Sequence, residues 1–137
     1  MNKKTKVLIV EDEMPLAMMM VSLLTRFHCD VTVATNGKKA VEIAKEKRFD
    51  LITLDIELPD TTGFEICRQL KERHISWKTP VVFIASSPCP EDVDKARKCG
   101  AVDYLTKPFD LTMFIYKVVF YARAQRLMEQ ETEGLTA

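Results

Sequence analysis

Carboxylates gather at a few points along the chain, and one lysine-proline pair stands far from them in sequence. Glu11, Asp12 and Glu13 are consecutive, Asp55 is followed by Glu57, and Lys107 precedes Pro108. Carboxylates brought together repel one another unless they share a cation, and hard oxygen donors select Mg²⁺ or a similar ion. A lysine beside them is a point charge suited to a carboxylate or a phosphate. No glycine-rich phosphate cradle accompanies them, because Gly37, Gly63, Gly100 and Gly134 lie far apart. Phosphate chemistry at such a site would rest on metal and lysine.

These residues become one site only if the fold brings them together. Val7 to Val10 is a continuous β-branched and aliphatic run, the pattern of a strand buried on both faces. Similar strands are predicted at Asp30 to Ala34, Leu51 to Leu54, Pro80 to Ala85 and Ala101 to Leu105. Helices are predicted at Pro15 to Phe27, from Asn36-Gly37 through Ala44, at Thr62 to Arg73, at Glu91 to Lys98 and at Asp110 to about Met128. In the first helix, Ala17, Met20, Val21, Leu24 and Phe27 share a face. Alternating strands and helices imply right-handed crossovers and a parallel sheet covered on both sides: an α/β, doubly wound fold. Ligands of such sheets bind beyond the carboxyl ends of the strands. Glu11 to Glu13, Asp55 with Glu57, Ala85 to Ser87, and Thr106 to Pro108 all follow strands.

The segments VLIVEDE, LITLDIELPDTTGFEI and DYLTKPFD, in this order and spacing, resemble a response-regulator receiver domain over about residues 5 to 125. The resemblance implies a flavodoxin-like (βα)5 sheet of strand order 2-1-3-4-5. It implies that Asp55 accepts a phosphoryl group from a histidine kinase or phosphotransfer protein in two-component signalling. It further implies Mg²⁺ bound directly by Asp12 and Asp55, Glu11 acting through water, and the Glu57 backbone carbonyl as another ligand. Lys107 matches the lysine that pairs with phosphoryl oxygens, and Pro108 would follow it through a cis bond. Pro59 and Gly63 would shape the loop after Asp55. The chain would then be a signalling phosphoacceptor rather than an enzyme acting on other substrates.

One position departs from the family pattern. Where the family places Thr or Ser at the end of strand four, this chain has Ala85; Ser86 and Ser87 follow. Ser86 is the candidate to supply the missing hydroxyl. Without one, a phosphoryl group loses a hydrogen bond to a charged acceptor, about 1.5–3 kcal/mol. The family's coupling of that hydroxyl to an aromatic residue on strand five, here Tyr104, is affected most. Ala85 thus favours a rival function, a non-phosphorylated pseudo-receiver that docks or dimerises through its last helix; the intact Glu11, Asp12, Asp55 and Lys107 disfavour it. A flavin carrier would need a phosphate-cradling loop after strand one, which is missing.

The last helix carries two apolar faces. Leu111, Phe114, Ile115, Val118 and Ala122 should pack on the sheet, while Met113, Tyr116, Phe120, Ala124 and Leu127 form a second stripe. The second stripe, with Met113, Tyr116 and Phe120 at its centre, suits a homodimer or a downstream protein. Met14, Pro15 and Met18 flank the acids and could meet an incoming kinase or phosphotransfer helix.

Composition agrees with one receiver-sized unit. The chain has 137 residues, 47% hydrophobic and 29% charged, with 20 basic and 20 acidic residues. Disorder is excluded as the main state, and zero net charge argues against direct nucleic-acid binding. Cys29, Cys67, Cys89 and Cys99 form no C-x-x-C pair and are expected as free thiols packed like small hydrophobes. His28 and His74 are expected at the surface. The apolar runs are too short for a signal peptide or a membrane span, so a cytoplasmic location is expected. The division expected is a receiver over residues 1–128 and a frayed polar tail over 129–137; such a unit would signal by protein contact, relay phosphate, or be a fragment of something longer.

Overall fold

The computed structural model describes residues 3–75, 78–86 and 89–136. Strands and helices alternate: β1 (Thr5–Val10), α1 (Met14–Thr25), β2 (Cys29–Ala34), α2 (Gly37–Glu46), β3 (Leu51–Asp55), α3 (Gly63–Glu72), β4 (Val81–Ala85), α4 (Pro90–Lys98), β5 (Asp103–Thr106) and α5 (Leu111–Thr136). The sheet has the expected order β2-β1-β3-β4-β5, and every neighbouring pair is parallel. Chain order reverses direction across the sheet beside β1, so the C-terminal ends of β1 and β3 flank a topological switch point.

Strand residues alternate between two cores. Leu8, Val10, Ile52, Leu54 and Phe83 face α2 and α3, meeting Val41, Ile66 and Leu70. Val7, Ile9, Leu51, Val82 and Ile84 face α1 and α5, meeting Met20, Leu24, Phe114 and Val118. Asparagine and threonine start two helices as N-caps: Asn36 accepts from the Lys39 N–H and Thr62 from the Glu65 N–H.

Three expectations need correction. Phe27 does not share the buried face of α1: the helix ends at Thr25, His28 turns with φ 62°, and Phe27 is left 43% exposed. Leu111 is 41% exposed rather than packed on the sheet. Phe109, from the preceding loop, takes that space and stacks on Phe114 with ring centroids 5.2 Å apart. The polar tail is not frayed at Glu129: α5 continues to Thr136. Glu129, Gln130 and Glu131 are good helix formers, and Glu129 accepts from Gln125 one turn earlier and from Arg48 at 2.9 Å. Among the described residues, no helix is long and apolar enough to cross a membrane.

Candidate phosphoacceptor and metal site

The ends of β1, β3 and β5 bring the predicted chemistry together. Carboxylate oxygens of Glu11, Asp12 and Asp55 lie within 4.8 Å of one another. Glu11 is 1% exposed and Asp55 is 5% exposed, whereas Asp12 reaches solvent. Lys107 Nζ donates to Asp55 Oδ2 at 2.9 Å and stands 2.9 Å from Glu11 Oε1. The Lys107 N–H is anchored on the Ala85 carbonyl at 2.8 Å, and the Lys107–Pro108 bond is cis, as expected. The Glu57 N–H donates to Asp55 Oδ1 at 3.2 Å, and the Glu13 N–H donates to Glu11 Oε2 at 3.1 Å.

Glu11 Oε1 is left without a hydrogen bond, because the Lys107 ammonium approaches it outside hydrogen-bonding geometry. A buried, ionisable acceptor in that state is costly. Burial, with the Asp55 charge adding to it, pushes the Glu11 carboxyl up to about 7 despite the opposing pull of Lys107 and the Glu13 N–H. Burial acts to lower the Lys107 pKa, but Asp55 and Glu11 together outweigh it and hold the ammonium above its ordinary value. An orphaned buried carboxylate oxygen within reach of two further carboxylates fits a small divalent cation with oxygen ligands.

The loop after β3 is held from several directions. The Gly63 N–H donates to the Ile56 carbonyl at 2.7 Å, and Glu57 bridges to Thr62. A Cβ on Gly63 would sit 2.5 Å from the Asp55 carbonyl oxygen. Gly63→Ala must therefore move the Asp55 backbone, and a loss of about 1–3 kcal/mol is expected in urea denaturation. Unchanged stability would show that the loop yields without cost. Asp60, which sequence reasoning left without a role, accepts from the Gly37 and Lys38 N–H groups at 2.8 and 3.1 Å. The Gly37 bond foremost, with the Lys38 bond, holds the Asp60 carboxyl below its usual range against the opposing effect of burial. The same loop is thereby tied to the start of α2. Its position directly after Pro59 was the only signal available.

Other candidates fall elsewhere. Ala85 ends β4 at 5% exposure, in register with Thr106. Ser86 is exposed just beyond it, and Ser87 lies outside the described residues. Tyr104 is 39% exposed. Its backbone is fixed instead: Lys117 Nζ donates to the Tyr104 carbonyl at 3.2 Å and to Asp103 Oδ1 at 3.0 Å, and the Tyr121 hydroxyl donates to Asp103 Oδ2 at 3.0 Å. This clasp between β5 and α5 has no local sequence signal, because Asp103 and Lys117 meet only across two elements. Met113, Tyr116 and Phe120 are 47%, 65% and 53% exposed, and the Tyr116 and Phe120 rings stack at 6.0 Å. Tyr116 and Phe120, with Phe27 and Leu127, border an apolar groove of about 610 Å³ between the end of α1 and the outer side of α5. Met14 and Met18 are also exposed beside the acids. His28 and His74 lie at the surface.

Comparison with known proteins gives the same picture. The family model described as response regulator receiver domain matches residues 7–119. Response regulator ArlR of Staphylococcus saprophyticus is 36% identical over 121 residues, which cover 88% of this chain and 54% of that protein. The chain thus spans about half the length of the curated relatives it matches. Among solved structures, the Francisella response regulator 1452 receiver domain superposes with a TM-score of 0.82 at 28% identity, covering 88% of this chain and 98% of that one. Chemotaxis protein CheY4 of Vibrio cholerae gives 0.81 at 27% identity, covering 86% and 98%.

Proposed function

Because the chain belongs to the response-regulator receiver family, we propose that it takes a phosphoryl group onto Asp55 from a phosphohistidine of a histidine kinase or phosphotransfer protein. The observation that carries this reading is the convergence of Glu11, Asp12, Asp55 and Lys107, with two buried carboxylates gathered on one lysine. Glu11, Asp12 and Asp55, with the Glu57 carbonyl, would hold Mg²⁺. When bound, the ion supplies positive charge to the equatorial phosphoryl oxygens, whose charge is spread out in a loose transition state.

The chain's own residues do the rest. An Asp55 carboxylate oxygen attacks phosphorus; the phosphorus–nitrogen bond breaks, and the imidazole leaves with the electron pair. The product is an acyl phosphate, reactive enough to be reversed by water. Lys107 carries a secure positive charge and lies on the Asp55 oxygen, so it can follow the charge onto the phosphoryl group. Glu57, through its N–H, and Gly63, through its close fit, hold the nucleophile in place. The function is signalling rather than turnover of other substrates: phosphorylation biases a conformational equilibrium and with it the affinity for a partner. Asp55→Asn keeps the shape and removes the nucleophile. It is expected to stay folded and to take up no acid-labile phosphoryl group from phosphoramidate; equal uptake by the variant would reject Asp55 as the acceptor.

A pseudo-receiver remains the second reading, favoured by Ala85. Both readings use the exposed α5 stripe as the surface for a second copy or a downstream protein. Changing Met113 and Phe120 together to glutamate is expected to weaken self-association or partner capture while leaving phosphoryl uptake intact. Unchanged sedimentation and unchanged partner binding would remove this role from the stripe.

A further inference from the structure

The four cysteines are all free, but their settings differ sharply. Cys29 is buried in the core that faces α1 and α5, on the other side of the sheet from Cys67. Cys89 is exposed at the N-cap of α4, where its N–H donates to Asp92. Cys67 and Cys99 meet. Cys67 is buried on α3, and its Sγ lies 3.4 Å from the carbonyl oxygen of Cys99, the C-cap residue of α4. Cys99 also packs against the same apolar core that buries Cys67. Cys99 is only partly buried.

The local backbone makes this meeting reproducible. Gly100 adopts φ 82°, a left-handed conformation that ends α4. The N–H groups of Cys99, Gly100 and Ala101 bond back to the Lys95, Arg97 and Ala96 carbonyls. The turn lies beside the end of the Lys71 side chain, which a Cβ at Gly100 would meet, one helical turn beyond Cys67 on α3. The helix that carries Cys99 is otherwise weakly held: α4 buries a single residue, Ala96, whereas α2 and α3 each bury four.

We propose that Cys67 and Cys99 are a redox-modification site, at which a peroxide-class oxidant closes a reversible disulfide that ties the end of α4 to α3. The more accessible Cys99 reacts first. Its thiolate sulfur attacks one peroxide oxygen, the oxygen–oxygen bond breaks, and a sulfenic acid and water result once the proton is counted. The Cys67 sulfur then attacks the Cys99 sulfur. The sulfur–sulfur bond forms, the sulfur–oxygen bond breaks, and hydroxide leaves with the Cys67 proton as water. Two thiols are oxidised and one peroxide is reduced to two waters. Burial pushes the Cys67 thiol up to about 11, which leaves the more accessible Cys99 as the first nucleophile. A thiol donor reverses the step by exchange. The bond would anchor the helix with the smallest buried share.

Hydrogen peroxide treatment of the reduced full chain, followed by alkylation, digestion and mass spectrometry, tests this. A Cys67–Cys99 cross-linked peptide pair, lighter by two hydrogens, is expected, and a thiol reductant should remove it. Cys99→Ser should leave Cys67 unmodified under the same treatment. Cys67→Ala should leave a Cys99 sulfenic acid that a dione reagent traps. Hydrogen exchange over Pro90–Lys98 should slow roughly tenfold in the oxidised wild-type chain and recover on reduction, because α4 opening is then restrained. No Cys67–Cys99 cross-link in the wild type, or oxidation of Cys67 in Cys99→Ser, would overturn the site. A cross-link that leaves α4 exchange unchanged would overturn the tether.

Discussion

Lys107→Ala is expected to destabilise the metal-free protein by about 3 kcal/mol at neutral pH. The substitution removes the cation that pairs with two buried carboxylates, Asp55 and Glu11. Asp55 keeps the Glu57 N–H and Glu11 keeps the Glu13 N–H, which limits the loss. Protonation limits it further, because Glu11 already titrates near 7 and would rise again without the lysine. Added Mg²⁺ should narrow the gap between variant and wild type, since a shared cation answers the same repulsion. Urea denaturation with and without Mg²⁺ gives both numbers. Phosphoryl uptake should also slow on the order of 10²-fold, the cost typical of losing one charge-stabilising group. Equal stability in both states would mean that the acid cluster needs no cation.

Ala85→Ser should have the opposite sign. Ala85 ends β4 beside the acid cluster and supplies no hydroxyl. A serine there would add one hydrogen-bond donor facing a charged acceptor, worth about 1.5–3 kcal/mol, or roughly 10–150-fold in phosphoryl uptake from a small donor. The side chain is small enough to enter a position that is 5% exposed with little repacking. A matching gain in uptake, with stability unchanged, would identify Ala85 as the residue that sets this chain's phosphorylation rate. No gain would mean that Ser86 or the surrounding backbone already serves the phosphoryl oxygens.

The sheet was legible because its strands are short aliphatic runs, a pattern that buried parallel strands require. The acid site was legible for a related reason. Glu11, Asp12 and Asp55 stand where those runs end, and the fold class assigns strand ends to ligands. The less legible features depend on which elements meet. Asp60 caps a helix that begins 23 residues earlier in the chain, and no local pattern announces that. Phe27 follows a helical period but lies beyond a turn at His28 that the period does not see. Leu111 loses its place to Phe109, a contest decided by packing. The Glu129 to Thr136 stretch is polar, which suggested fraying, yet Glu129 is tied to Gln125 and Arg48 and α5 continues to Thr136. The Cys67–Cys99 meeting arises only when α3 and the end of α4 are placed side by side.

The central claim is that Asp55 accepts a phosphoryl group with a divalent cation held by its acidic neighbours. Intact mass after incubation of the wild-type chain with phosphoramidate and Mg²⁺ tests it most directly, beside a chelator arm. One added phosphoryl group, lost with chelator and lost on acid treatment, is the predicted result. No added mass on folded protein with an active donor would contradict it and leave a pseudo-receiver whose exposed α5 stripe carries the function.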